Sequence, residues 1–127
     1  MVNVLIVDDS GVMRALLRTI LRSDHFNVIG EAGDGIKALE IVEMLKPDLV
    51  CLDIEMPEMS GLETLSQLKS KYPNIIVVMV TASNVAADVQ EALTNGADGY
   101  ILKPFNVGKV LDTLLNACEK AQARNNS

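Results

Sequence analysis

The sequence predicts an α/β fold, a doubly wound five-stranded parallel sheet with helices on both faces. Three observations point there. Apolar runs and amphipathic stretches alternate five times along the chain. The runs are almost free of polar residues, as strands covered on both faces must be. With 127 residues, 49% of them apolar, one domain can bury such a core without disulfides or metals.

The elements follow in order. Val2 to Val7 is a strand, stopped by Asp8-Asp9. From Gly11 to Ser23, Val12, Leu16, Thr19 and Ile20 recur at helical spacing, and Arg14, Arg18 and Arg22 line a second face that reads as solvated, with a kinase-facing role as the alternative because this helix borders the strand end. Asn27 to Glu31 is a short strand. Asp34 N-caps a helix that reaches Leu45 and stops before Pro47. The run Asp48 to Asp53 contains Leu49, Val50, Cys51 and Leu52, a strand buried on both faces and broken by Met56-Pro57. Ser60-Gly61-Leu62-Glu63 is a capping box for a third helix, closed by Pro73. Ile75 to Val80 is an unbroken apolar strand. A fourth helix starts near Asn84 and ends at Asn95-Gly96, a left-handed stop. Gly99 to Leu102 is the fifth strand. Val107, Val110, Leu111, Leu114, Leu115 and Cys118 mark the inner face of the last helix. Residues 1–120 form the domain, and 121–127 is a polar tail that should fray.

Composition excludes several function classes. With 11 Lys+Arg against 17 Asp+Glu the formal charge is −6, so the basic excess that drives nucleic-acid or anionic-lipid binding is lacking. No apolar run approaches the roughly 20 residues of a membrane span, and the first residues lack the charged region of a signal peptide. Cys51 and Cys118 sit in apolar contexts without metal-ligand spacing. The expectation is a reduced, cytoplasmic protein with no nucleic-acid or membrane partner.

In an open α/β sheet, ligands bind beyond the carboxyl ends of the strands. Here the first strand ends in Asp8-Asp9, the third in Asp53, the fourth in Thr81 and the fifth in Lys103. Any one of these could be a helix cap, and Asp9 or Ser10 could cap the first helix. Capping does not explain Asp53, which is followed by Ile54-Glu55-Met56-Pro57, or Lys103, which precedes a proline. Three carboxylates brought close together must protonate or hold a cation. An all-oxygen set suits Mg²⁺, which keeps waters and shares phosphate oxygens. Lys103 and the Thr81 hydroxyl can contact further phosphate oxygens. Asp53 is the best nucleophile, because it stands alone on a central strand while Asp8 and Asp9 form a pair; attack on phosphorus gives an aspartyl phosphate.

The chain resembles the receiver domain of two-component response regulators. The resemblance rests on Val7-Asp8-Asp9-Ser10, Asp34-Gly35, Leu52-Asp53-Ile54-Glu55-Met56-Pro57 with Gly61, Val80-Thr81-Ala82, Gly96-Ala97, and Gly99-Tyr100 leading into Lys103-Pro104-Phe105. It implies a flavodoxin-like sheet in the order 2-1-3-4-5 and a cis Lys103-Pro104 bond. It further implies that Asp53 accepts phosphate from a sensor histidine kinase. Asp9 would bind Mg²⁺ directly, Asp8 largely through water, and the Glu55 main-chain carbonyl would complete the site. Thr81 and Lys103 would contact the phosphoryl group. Tyr100 would move inward as Thr81 shifts, changing the face formed by the fourth helix, fifth strand and fifth helix. No output domain follows in this sequence, so the signal is expected to pass by phosphorylation-dependent binding of a protein target, as a monomer or weak dimer. Met79 to Ala82, Met13-Arg14 and Tyr100 look like the chemotaxis branch, whose target is the flagellar motor switch. A phosphorelay shuttle or a regulator of another enzyme are the alternatives.

Two rivals fit less well. Gly33-Asp34-Gly35-Ile36-Lys37-Ala38, with Asp53 20 residues after Gly33, matches a dinucleotide fingerprint, but it follows the second strand and leaves Asp8, Asp9, Thr81 and Lys103 unexplained. An Asp-nucleophile, Mg²⁺-dependent phosphatase normally carries Asp-x-Asp near its start, whereas Asp53-Ile54-Glu55 is late and lacks the second Asp. His25 reads as a loop or helix-end residue, and the six methionines, Met56 included, as packing.

Overall fold

A computed structural model describes residues 1–23 and 25–125. Its strands are β1 (Val2–Val7), β2 (Phe26–Ala32), β3 (Leu49–Leu52), β4 (Ile76–Thr81) and β5 (Gly99–Leu102). Between and after them run α1 (Gly11–Ile20), α2 (Gly35–Leu45), α3 (Gly61–Lys71), α4 (Ala86–Thr94) and α5 (Val107–Asn125). All four strand pairs are parallel and the order is β2-β1-β3-β4-β5. Such pairs need crossovers, which the helices supply.

Alternate residues of the sheet feed two cores. Val4, Ile6, Cys51, Val78 and Val80 pack with Leu17 of α1 and Val110 and Leu114 of α5. Leu5, Val7, Val50, Leu52, Val77 and Met79 pack on the other face with Val42 of α2, Leu65 and Leu68 of α3 and Ala92 of α4. Every residue of β3 and β4 is buried. That two-sided burial explains their unbroken apolar runs.

Local signals place the helix starts. Ser10 accepts from the Met13 N–H, Asp34 from the Lys37 N–H and Ser60 from the Glu63 N–H. Ser10, rather than Asp9, is thus the cap of α1. Val85, the N-cap residue before α4, makes no side-chain cap bond, and α4 begins two residues later than Asn84. Gly96 takes the left-handed backbone (φ 94°) that was expected after Asn95. The Lys103-Pro104 bond is cis.

Four expectations need correcting. On α5, Val110 and Leu114 are buried and Leu111 and Cys118 pack against the core, but Val107 and Leu115 are exposed, Val107 at the first residue of the helix and Leu115 turned about 100° from Leu114. The buried stripe of α1 is Leu17 and Ile20 with Met13 packed against it, while Val12 is 82% exposed and Leu16 is exposed too. Of the expected positions Ile20 is buried and Thr19 is exposed; the two apolar stripes share Ile20, and spacing alone could not choose between them. The arginine face is not simply solvated: Arg14 and Arg18 both pair with Glu31 of β2. Residues 121–125 are helical and not a loose tail: α5 continues to Asn125 and buries Ala121. Residues 126 and 127 of the expected tail lie outside the described residues.

Candidate phosphoryl-transfer site

The strand ladder itself delivers the site residues. Beyond the last paired residues the main chain continues the bonding: Asp8 N donates to Ala32 O (3.0 Å), Asp53 N to Val7 O (3.0 Å) and Lys103 N to Thr81 O (2.9 Å). Asp8, Asp53 and Lys103 are therefore the next step of β1, β3 and β5, and Thr81 is the last residue of β4, all at one edge of the sheet. Carboxylate oxygens of Asp8, Asp9 and Asp53 lie within 4.8 Å of one another. Asp8 and Asp53 are buried; Asp9 is exposed.

Two like charges so placed need a cation. Lys103 is one: its Nζ donates to Asp8 Oδ2 at 2.7 Å and to Asp53 Oδ2 at 3.4 Å. Burial opposes the ammonium charge, but the Asp8 hydrogen bond and the Asp53 and Asp8 charges outweigh it and hold its pKa above the ordinary lysine range. One lysine against three carboxylates leaves a surplus of two negative charges, and the donors are all oxygen. That set fits a hard divalent cation such as Mg²⁺. Asp8 is pinned further by Ser10 N, which donates to its Oδ1 at 2.9 Å.

The remaining expected residues lie around this centre. The buried Thr81 hydroxyl accepts from Ser83 N at 3.3 Å. Glu55 stands two residues beyond Asp53 with its side chain exposed. Tyr100, on β5, donates its hydroxyl to the Ser83 carbonyl at 2.8 Å. Burial raises its pKa, the Ser83 bond lowers it, and the Asp88 and Asp53 charges raise it, for a net increase. Ser83 also donates to Asp88 of α4 at 2.6 Å, so the Thr81, Tyr100 and α4 segments meet at one residue. Sequence reasoning missed Ser83; a buried serine two residues past a strand end carries no pattern of its own.

The decoys resolve in the same geometry. A Cβ on Gly35 would lie 2.1 Å from Thr64 Oγ1, so this glycine of the fingerprint serves close packing of α2 on α3. A Cβ on Gly61 would lie 1.9 Å from the Asp53 carbonyl oxygen. Gly61 thereby lets α3 begin against the Asp53 main chain, with Gly61 N donating to Ile54 O at 2.8 Å. His25 is exposed with its ring edge towards Phe26, a loop residue as expected. Met56 packs against the α2–α3 core.

Residues 4–115 match the family model of the response regulator receiver domain. The chain belongs to that family. A chemotaxis protein CheY of Listeria monocytogenes is 40% identical over 119 residues, covering 94% of this chain and all of the relative. A protein-glutamate methylesterase/protein-glutamine glutaminase of Pyrococcus horikoshii is 43% identical over 94% of this chain, but over only 34% of its own length. The receiver fold also aligns with a solved CheX–CheY–BeF₃–Mg²⁺ complex from Borrelia burgdorferi, with TM-score 0.86 and 37% identity over 90% of this chain and 87% of that one. CheY-like receiver domains are signalling phosphoacceptors, and that is this domain's class. Among the described residues no helix is long and apolar enough to cross a membrane.

Proposed function

We propose that this receiver domain accepts a phosphoryl group on Asp53 from the phosphohistidine of a sensor histidine kinase, in a Mg²⁺-dependent reaction, and signals by binding a protein target. The observation that carries the reading is the Lys103 ammonium bridging Asp8 and Asp53, with Asp9 completing a three-carboxylate cluster. Asp8, Asp9, Asp53 and the Glu55 main-chain carbonyl would hold the ion. When bound, Mg²⁺ supplies charge neutralisation for the phosphoryl oxygens.

An Asp53 carboxylate oxygen attacks phosphorus; the P–N bond breaks, and the imidazole leaves with its electron pair. Lys103 then has a phosphoryl oxygen as partner in place of part of its carboxylate contact. The Thr81 hydroxyl, which accepts from Ser83 N, can turn to donate to a second oxygen. A move of Thr81 pulls on Ser83, whose carbonyl holds Tyr100 and whose hydroxyl holds Asp88 of α4. The α4–β5–α5 face thus feels the charge at Asp53. Water attacking the same phosphorus returns the carboxylate, so the signal is self-limiting.

A chemotaxis role is favoured by the Listeria and Borrelia CheY similarities. The target is then a motor-switch protein or a CheX-like partner. Acetyl phosphate with Mg²⁺ should add one phosphoryl group by mass, and EDTA should prevent it. Asp53→Asn should abolish labelling with the fold intact; labelling that survives this change overturns the assignment. Capture by beryllofluoride-loaded against untreated protein identifies the target.

A further inference from the structure

Arg14 belongs to none of the roles above, yet its guanidinium reaches the site's main chain. Its Nη1 donates to the Asp8 carbonyl at 2.5 Å, and its Nε to Glu31 Oε1 at 3.0 Å. Glu31 is shared: its other oxygen accepts from Arg18 Nε at 2.7 Å. Burial works against the Glu31 charge, but hydrogen bonds from Arg18 and Arg14 outweigh it and keep the carboxyl below its ordinary range. The Arg14 side chain is only 24% exposed. Gly11 and Gly33 flank it, each with a Cβ position 3.6 Å from a guanidinium nitrogen.

The carbonyl it holds belongs to the peptide joining Asp8 to Asp9. Rotation of that peptide plane swings the Asp9 side chain relative to Asp8. Asp8 is already fixed by Ala32 O on its N–H and by Ser10 and Lys103 on its carboxylate. Asp9 is exposed, and its direction is set by the plane that Arg14 grips. We propose that Arg14, oriented by Glu31, is a positioning residue that aims Asp9 at the divalent cation. This rests on the Mg²⁺ reading of the site.

The charge of Arg14 makes the test sharp. A cation close to a cation site repels Mg²⁺, so deleting Arg14 should tighten binding if charge alone mattered. Loss of a positioning contact weakens it, by roughly tenfold where a ligand's supporting hydrogen bond is removed. Mg²⁺ is titrated calorimetrically into wild type, Arg14→Ala, Arg14→Lys and Arg18→Ala, with thermal melts as the folding check. The expected result is about tenfold weaker binding for Arg14→Ala and an intermediate loss for Arg14→Lys, whose ammonium cannot fork to both partners. Arg18→Ala, which leaves the Asp8 contact in place, should stay near wild type. Acetyl phosphate labelling of Arg14→Ala should recover when Mg²⁺ is raised. Unchanged or tighter Mg²⁺ binding in the Arg14 variants overturns the proposal; if Arg14→Ala does not fold, Arg14→Lys decides. Wild type that binds no Mg²⁺ overturns the site reading instead.

Discussion

Lys103 does two jobs that conflict. Without a divalent ion it neutralises Asp8 and Asp53, and with one it must share them. Lys103→Ala leaves two buried carboxylates without that counter-charge, so its melting temperature should fall. Added Mg²⁺ should raise the melting temperature of this variant more than that of wild type, because no ammonium competes for Asp8; an equal or smaller rise would contradict the shared role. Acetyl phosphate labelling should be slower as well. The raised Lys103 pKa keeps its stabilising charge through neutral pH, and the charge is lost only as pH climbs past that elevated value. The thiols tell a second story at this scale. Burial, with a lesser push from Cys118, raises Cys51 to about 12. Cys118 is half-buried and raised too, by burial and then the charges of Asp48, Asp98 and Glu119. Iodoacetamide at pH 8 should therefore alkylate Cys118 slowly and Cys51 only after unfolding, a pattern read by peptide mass mapping. Asp8, Asp9, Asp53, Thr81 and Lys103 were legible in the sequence because each ends a strand. Arg14 was not, because its partner Glu31 lies 17 positions away and nothing local announces the pair.

Elements were legible where two signals agreed. The second, third and fourth crossover segments have a cap, a breaker, or both, beside an apolar run, and they fall close to the expected bounds. The first helix shows the opposite case. Val12 and Leu16 recur as regularly as Met13, Leu17 and Ile20, and only contact with β1 and α5 selects the second set. The start of α3 depends on Gly61 more than on its cap. Its missing Cβ would overlap the Asp53 carbonyl oxygen and lie 2.7 Å from Ile54 Cα, both main-chain atoms that cannot step aside cheaply. Gly61→Ala should cost about 1–3 kcal/mol of stability and also slow phosphoryl labelling, since relief comes by moving Asp53. A stability loss with wild-type labelling kinetics would show that α3 yields instead.

At the scale of the whole molecule, the alternating apolar pattern settled the layers, while the contacts that brace the far end were invisible to it. Asp98 is the chief example. Its side chain, 2% exposed, accepts from Lys69 Nζ of α3 at 2.8 Å, from Val77 N of β4 at 2.9 Å and from Arg124 of α5 at 3.0 Å. Its own N–H donates to Val77 O at 2.7 Å. One carboxylate thus ties two helices to the sheet, and it needs the last turns of α5 that composition alone marked as a tail. Asp98→Ala takes the counter-charge from the half-buried Lys69 ammonium, which keeps its bond to the Ile75 carbonyl, and leaves the buried Val77 N–H without this acceptor. It should therefore lower stability by about 3 kcal/mol in chemical denaturation. Truncation after residue 120 should remove the Arg124 arm and part of that stability.

Because Asp8, Asp53 and Lys103 are each one step past a hydrogen-bonded ladder and Thr81 is the last residue in it, their mutual placement is a matter of counting. Strand residues advance about 3.3 Å and alternate faces. One residue inserted within β3 would carry Asp53 past its neighbours and turn it to the opposite side. A residue added between α3 and β4 or between α4 and β5, at the other end of the sheet, would be absorbed before the count begins. The domain can therefore tolerate length changes at one pole while permitting none within the strands that lead to the other.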